Sequence, residues 1–95
     1  MSEPGIKGKL KYVQSLGGAS GYGGGWFLTL MEDEAEQLWL VYGSRDRNVE
    51  GDTLQVAPFP AEGKDDPQAY REKHPEKISW TDVSDGFLRA HGVQV

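Results

Sequence analysis

Apolar and polar positions alternate most clearly over Trp26–Tyr42, WFLTLMEDEAEQLWLVY. There two runs, Trp26–Met31 and Gln37–Tyr42, flank the acidic segment Glu32–Glu36. Period-two alternation around a polar turn predicts a β-hairpin. With a three-residue loop at Asp33–Ala35, one face carries Trp26, Leu28, Leu30, Leu38, Leu40 and Tyr42. The other carries Phe27, Thr29, Met31, Gln37, Trp39 and Val41. A two- or four-residue loop mixes these sets, because a one-residue slip exchanges the faces. The three-residue loop gives the cleaner division and is preferred. Both faces are more apolar than a solvated strand requires, so either both are covered or one meets a partner.

The remaining chain reads as short strands and turns. Residues 1–5 are expected to fray. Ile6–Leu16 predicts a strand with Lys7, Lys9, Lys11 and Val13 on one side, and Gly17–Gly25 predicts a flexible loop with Tyr22 as its contact residue. Thr53–Ala57 predicts a further strand, ended by Pro58 and Pro60, and residues 58–66 a proline-rich acidic linker. Asp65 or Asp66 can cap a helix over Pro67–Lys73, with Pro67 at its first position and Pro75 enforcing its end. Ile78–Val83 and Phe87–Val93 favour a second hairpin, which sets Asp82 opposite Arg89 and Trp80 opposite His91. The competing element is a helix from Asp85 to His91 capped by Gly92. Gly86 inside it counts against that helix by about 1 kcal/mol. The expected fold is therefore mainly β: a small antiparallel barrel of five or six strands, OB- or SH3-like, with one short helix, forming one domain over residues 1–95.

Composition narrows the function more than the fold. A chain of 95 residues can build one modest core. Apolar residues make up only 37%, but 11% aromatics are too many for a disordered chain. Without cysteine there is no disulfide framework and no thiolate metal site. No apolar run follows Met1, so neither a signal peptide nor a membrane span is expected, and a cytoplasmic location fits. The net charge of −5 is unevenly spread: residues 1–30 carry +2, from Lys7, Lys9 and Lys11 against Glu3, and residues 31–95 carry −7. An acidic domain repels nucleic acid at long range, although a local basic strip can still meet a phosphate backbone.

No catalytic pattern stands out. The glycine stretch ends in Gly-Trp, where a P-loop needs Gly-Lys-Ser/Thr, and a strand follows where a dinucleotide fingerprint needs a helix. Glu32, Asp33, Glu34 and Glu36 lack the alternate spacing and central glycine of an EF-hand loop. His74 and His91 have no partner at metal-ligand spacing. The expectation is a non-enzymatic binding module without metal or cofactor.

Two kinds of partner fit such a module. For single-stranded nucleic acid, Phe27 and Trp39 would form an outward stacking row beside Lys7, Lys9 and Lys11, with Tyr22 on the glycine loop. Gly8-Lys9-Leu10-Lys11-Tyr12, then Gly21-Tyr22-Gly23 and Trp26-Phe27-Leu28, resemble the opening of cold-shock domains over about a quarter of the chain. That resemblance implies a small barrel with an aromatic second strand. The triple glycine before Trp26 and the missing Phe-x-His of the third strand depart from the pattern, and the chain is not assigned to that family. The alternative is an acidic inhibitor or immunity-type protein that meets a basic protein partner through Glu32, Asp33, Glu34 and Glu36.

Overall fold

Leu28, Leu30, Leu38 and Leu40 point to one side of a five-stranded antiparallel sheet, and Phe27, Met31, Trp39 and Val41 point to the other. The sheet belongs to a computed structural model that describes residues 4–21, 24–46 and 52–93. Its strands are β1 (Lys11–Gly21), β2 (Gly24–Glu32), β3 (Leu38–Asp46), β4 (Asp52–Phe59) and β5 (Thr81–Asp82), lying side by side in chain order. A 3-10 turn at Ala61–Gly63, helix α1 (Pro67–Lys73) and a second 3-10 turn at Pro75–Lys77 come between β4 and β5, and α2 (Asp85–Ala90) follows. The expected mainly β architecture is present. The barrel is not: β1 and β5 lie at opposite ends of the sheet, and no pairing joins them among the described residues.

The two faces of the sheet are covered separately, which answers why both are apolar. On one face Leu28, Leu30, Leu38, Leu40, Ala57 and Phe59 form a cluster beneath Tyr70 of α1 and Ile78. On the other, Trp39, Val41, Leu54 and Val56 meet Leu88 of α2, Val93, and Ile6 and Leu10 of the N-terminal segment. Leu30, Leu40, Val41, Val56 and Leu88 have no exposed surface. Each such side chain contributes roughly 1.5–3 kcal/mol by leaving water. A sheet between two covering layers is the stable way to bury both sides.

The hairpin register differs from the expected one by two residues. Leu30 faces Leu40, Met31 faces Trp39 and Glu32 faces Leu38, so the connection is Asp33–Gln37 rather than Asp33–Ala35. A two-residue shift preserves the division of faces. The cause is Asp33, whose Oδ1 accepts from Ala35 N and Gln37 N, both at 2.9 Å. Its own N–H donates to Gln37 O at 3.0 Å, and Glu36 takes φ 65° to close the turn.

The first strand is displaced from Ile6–Leu16 to Lys11–Gly21, and it runs through glycines expected to be loop. Those glycines give flat rings a seat on the neighbouring strand. The Trp26 ring lies over Gly17, where a Cβ would come within 2.9 Å of it, and the Phe27 ring lies over Gly43. Val13 and Leu16 fall at two register shifts of β1 and pack against the leucine face. Residues 6–10 form no strand because tertiary contacts hold them. Lys7 N donates to Asp33 Oδ2 (3.0 Å), Lys9 N to Glu34 Oε2 (2.7 Å) and Leu10 N to His91 O (2.8 Å). Of the terminus expected to fray, residues 1–3 lie outside the described residues.

Local chemistry decides the helices. Asp66 caps α1 by accepting from Ala69 N at 3.2 Å, with Pro67 in the first turn, as expected from the sequence. The C-terminal hairpin is replaced by its competitor. Ser84 Oγ accepts from Phe87 N at 3.1 Å, and Gly92 ends the helix at φ 85°. Complete burial of Leu88 outweighs the propensity cost of Gly86. β4 also outruns its expected end at Pro58: Pro58 and the buried Phe59 stay in register with Trp39 and Leu38 of β3. On the other side, among the described residues, β5 pairs only with Gln55 and Val56, so no partner there asks Pro58 for an N–H.

Candidate binding site

The expected stacking row does not face outward. Trp39 is 5% exposed and belongs to the core beneath α2, and its indole N–H donates to Asp33 Oδ2 at 3.0 Å. Phe27 is half-buried on the same face, lying on Gly43. The reason is parity: the second apolar face of the hairpin, taken as open, is the one that the N-terminal segment and α2 cover. Tyr22 lies outside the described residues.

The lysines are brought to the acidic turn instead of to an aromatic strip. Lys9, Lys11 and Lys64 share a recess with Glu32, Asp33, Glu34 and Glu36, and Lys64 Nζ lies 3.9 Å from Glu32 Oε2. Lys9 Nζ also donates to Ala90 O at 3.0 Å, the favourable place for a cation at the end of α2. Lys7 and Lys9 donate their backbone N–H groups to Asp33 and Glu34. Of the four acids expected to form an acidic docking patch, Asp33 is 2% exposed and Glu34 is spent on Lys9. Burial alone would raise the Asp33 pKa. The hydrogen bonds from Lys7 N, the Trp39 indole, Gln37 N and Ala35 N prevail and hold it below the usual aspartate value.

Among the described residues Tyr12 of β1 is the most exposed large aromatic, at 68%, and its hydroxyl accepts from Ser15 N at 2.9 Å; two further exposed aromatics meet in one groove on the leucine face. Trp26 of β2 is 42% exposed and Trp80, just before β5, is 37% exposed. They line one groove of about 430 Å³ together with Tyr42, Gln55, Gln68 and Arg71, floored by Leu16 and Leu28. Trp80 meets Tyr42 edge-to-face, with centroids 6.1 Å apart and planes at 65°. Gln68 and Arg71, one turn apart on α1, are joined by an Arg71 Nη1 hydrogen bond to Gln68 Oε1 at 2.7 Å. Gln55 Nε2 donates to Asp82 Oδ1 at 2.9 Å. Sequence reasoning placed Trp26 on the core face and paired Trp80 with His91. The available signals were Trp26 standing next to three glycines and Trp80 standing alone in a polar stretch.

A second recess, of about 390 Å³, lies at the glycine end of the sheet, between Phe27, Leu54 and the bare backbone of Gly25 and Gly43, with Arg45 and Asp85 among its lining residues. The Tyr70 hydroxyl, which donates to Glu62 Oε1 at 3.0 Å, is raised above the ordinary tyrosine pKa by burial and then by that bond and the charges of Glu62 and Glu76. Among the described residues no group of His, Asp and Glu is placed to hold a metal ion, and no helix is long and apolar enough to cross a membrane. Comparison of the chain with protein families, with curated proteins and with solved structures found no match.

Proposed function

We propose that the protein is a small non-enzymatic binding module whose ligand lies in the groove of Trp26, Tyr42 and Trp80. The observation that carries this reading is the exposure of two tryptophans in one concave site, 42% and 37%, with three hydrogen-bonding side chains beside them. Indole exposed to water in a groove is costly unless a ligand covers it, and small-molecule sites combine apolar walls with a few placed polar groups. The volume falls within the range of about 300–1,000 Å³ typical of such clefts. The stacking expected from the sequence is thus retained and moved: Trp26 and Trp80 take the part assigned to Phe27 and Trp39. Among the described residues Arg71 is the one cation that lines the groove, and the lysine row lies with the acidic turn.

Titration followed by tryptophan emission tests the reading. Trp39 is buried, so a ligand in the groove reports through Trp26 and Trp80. A ring-bearing ligand is expected to shift the emission of the native chain and to lose affinity in both Trp26→Ala and Trp80→Ala. Each stacked ring removed costs about 1–3 kcal/mol. Equal affinity in the native chain and both variants would place the ligand elsewhere and overturn the assignment.

A further inference from the structure

Resting on that groove as the binding site, we propose that its ligand is an uncharged saccharide, with Trp26 and Trp80 against sugar rings and Arg71, Gln68 and Gln55 hydrogen-bonded to hydroxyls. Charge narrows the class first. The chain carries −5, which repels a polyanion at range, and among the described residues a polyanion entering the groove would find Arg71 as its only cationic lining residue. A cationic ligand, for which an aromatic site is otherwise suited, is opposed by the same guanidinium. A neutral ligand meets neither penalty.

The polar groups are already oriented. Arg71 can only donate, so the Gln68 oxygen turns toward it and the Gln68 amide NH₂ remains as a donor to the groove. Asp82 accepts from the Gln55 amide nitrogen, which leaves the Gln55 oxygen as an acceptor. The groove therefore offers donors on the α1 side and an acceptor on the β4 side. A hydroxyl rotates to accept from one and donate to the other, and a sugar presents several around one ring. The C–H bonds on the face of that ring meet the negative faces of the indoles. Trp80 is braced by Tyr42 and Trp26 rests over Gly17, so both rings are held before the ligand arrives.

The experiment titrates the full chain with cellohexaose, xylohexaose and chitohexaose, and separately with oligo(dT), reading tryptophan emission at about 50 and about 500 mM NaCl, a span over which phosphate contacts weaken sharply. The expected result is binding of at least one saccharide with an affinity that salt leaves unchanged. It should fall about tenfold or more in Trp80→Ala and in Trp26→Ala, as loss of a stacked ring implies. Arg71→Gln should weaken it less than either, and near-native far-UV circular dichroism of each variant separates lost binding from lost folding. Salt-sensitive binding of oligo(dT) through the same two tryptophans, with no saccharide bound, overturns the saccharide and leaves the groove standing. Saccharide binding that both tryptophan variants retain overturns the site and its ligand together, as does a native chain that binds no probe.

Discussion

The indole N–H of Trp39 donates to Oδ2 of Asp33 at 3.0 Å, so the largest side chain on the α2 face of the sheet is tied to the turn that leads into its own strand. The same carboxylate accepts from Lys7 N at 3.0 Å and from Ala35 N and Gln37 N at 2.9 Å. One buried group thus fixes a turn, orients a core tryptophan and anchors the segment that covers it. Asp33→Ala leaves four donors without their acceptor. Water can reach those of the turn, and the cost expected is about 2–4 kcal/mol, dominated by the indole and Lys7 N–H groups. Asp33→Asn keeps one oxygen and should cost less, roughly 1–3 kcal/mol, because its NH₂ faces donors. Urea unfolding of the two variants checks this, and a loss below about 0.5 kcal/mol in Asp33→Ala would show the carboxylate to be dispensable.

How far the fold was legible follows from that residue. The face division of β2 and β3 was readable because parity survives a two-residue error, and Leu28, Leu30, Leu38 and Leu40 share a face in both registers. The register itself was not, since a three-residue loop and the observed Asp33–Gln37 turn have the same parity and only the Asp33 side chain distinguishes them. Helix α1 was readable because Asp66, Pro67 and Pro75 act within one turn. Helix α2 was legible only as the competing element ended by Gly92, because what tips the balance over Gly86 is the burial of Leu88 against strands distant in sequence. The same non-local burial removed Trp39 from the candidate site: an aromatic on an alternating strand announces a face, and whether that face is covered depends on Ile6, Leu10 and α2.

Asp33 also predicts an acid limb. Its folded pKa lies below the ordinary 3.8, so the folded chain binds its proton later than the unfolded chain does. The stability it adds is fully present above 3.8 and is lost as pH falls through that value toward the folded pKa. Native and Asp33→Asn proteins should therefore differ most near neutral pH and converge below the folded pKa. Urea midpoints measured for both across the acid range check the sign. A difference that widens on acidification would mean that the hydrogen bonds do not favour the ionised form.

Trp39 and Trp80 should respond oppositely to truncation. Trp39 is packed among Val41, Val56 and Leu88, and Trp39→Ala is expected to cost about 3–5 kcal/mol. Trp80 is 37% exposed and its ring contact is the edge of Tyr42, so Trp80→Ala should cost about 1 kcal/mol or less. Thermal or urea unfolding separates the two. Equal losses would mean that Trp80 is a core residue and that the groove is a packing defect in place of a site.

The last test concerns Phe27 and Gly43, which face each other across β2 and β3. A Cβ on Gly43 would collide with Cε1 and Cζ of Phe27 and stand 3.1 Å from Leu54 Cδ2. Gly43→Ala must therefore displace the ring, and overpacking of this kind costs about 1–3 kcal/mol. With the ring removed, the remaining close neighbour is Leu54 Cδ2, the end of a flexible side chain that can give way, and the backbone preference favours alanine over glycine in a strand by roughly 0.5–1 kcal/mol. Gly43→Ala should accordingly destabilise the native chain and be neutral or slightly stabilising in a Phe27→Ala background. Urea unfolding of the four proteins gives the coupling as a double-mutant cycle. A coupling near zero would mean that Phe27 does not rest on Gly43, and the glycines of β1 and β3 would then need another explanation than the rings laid across them.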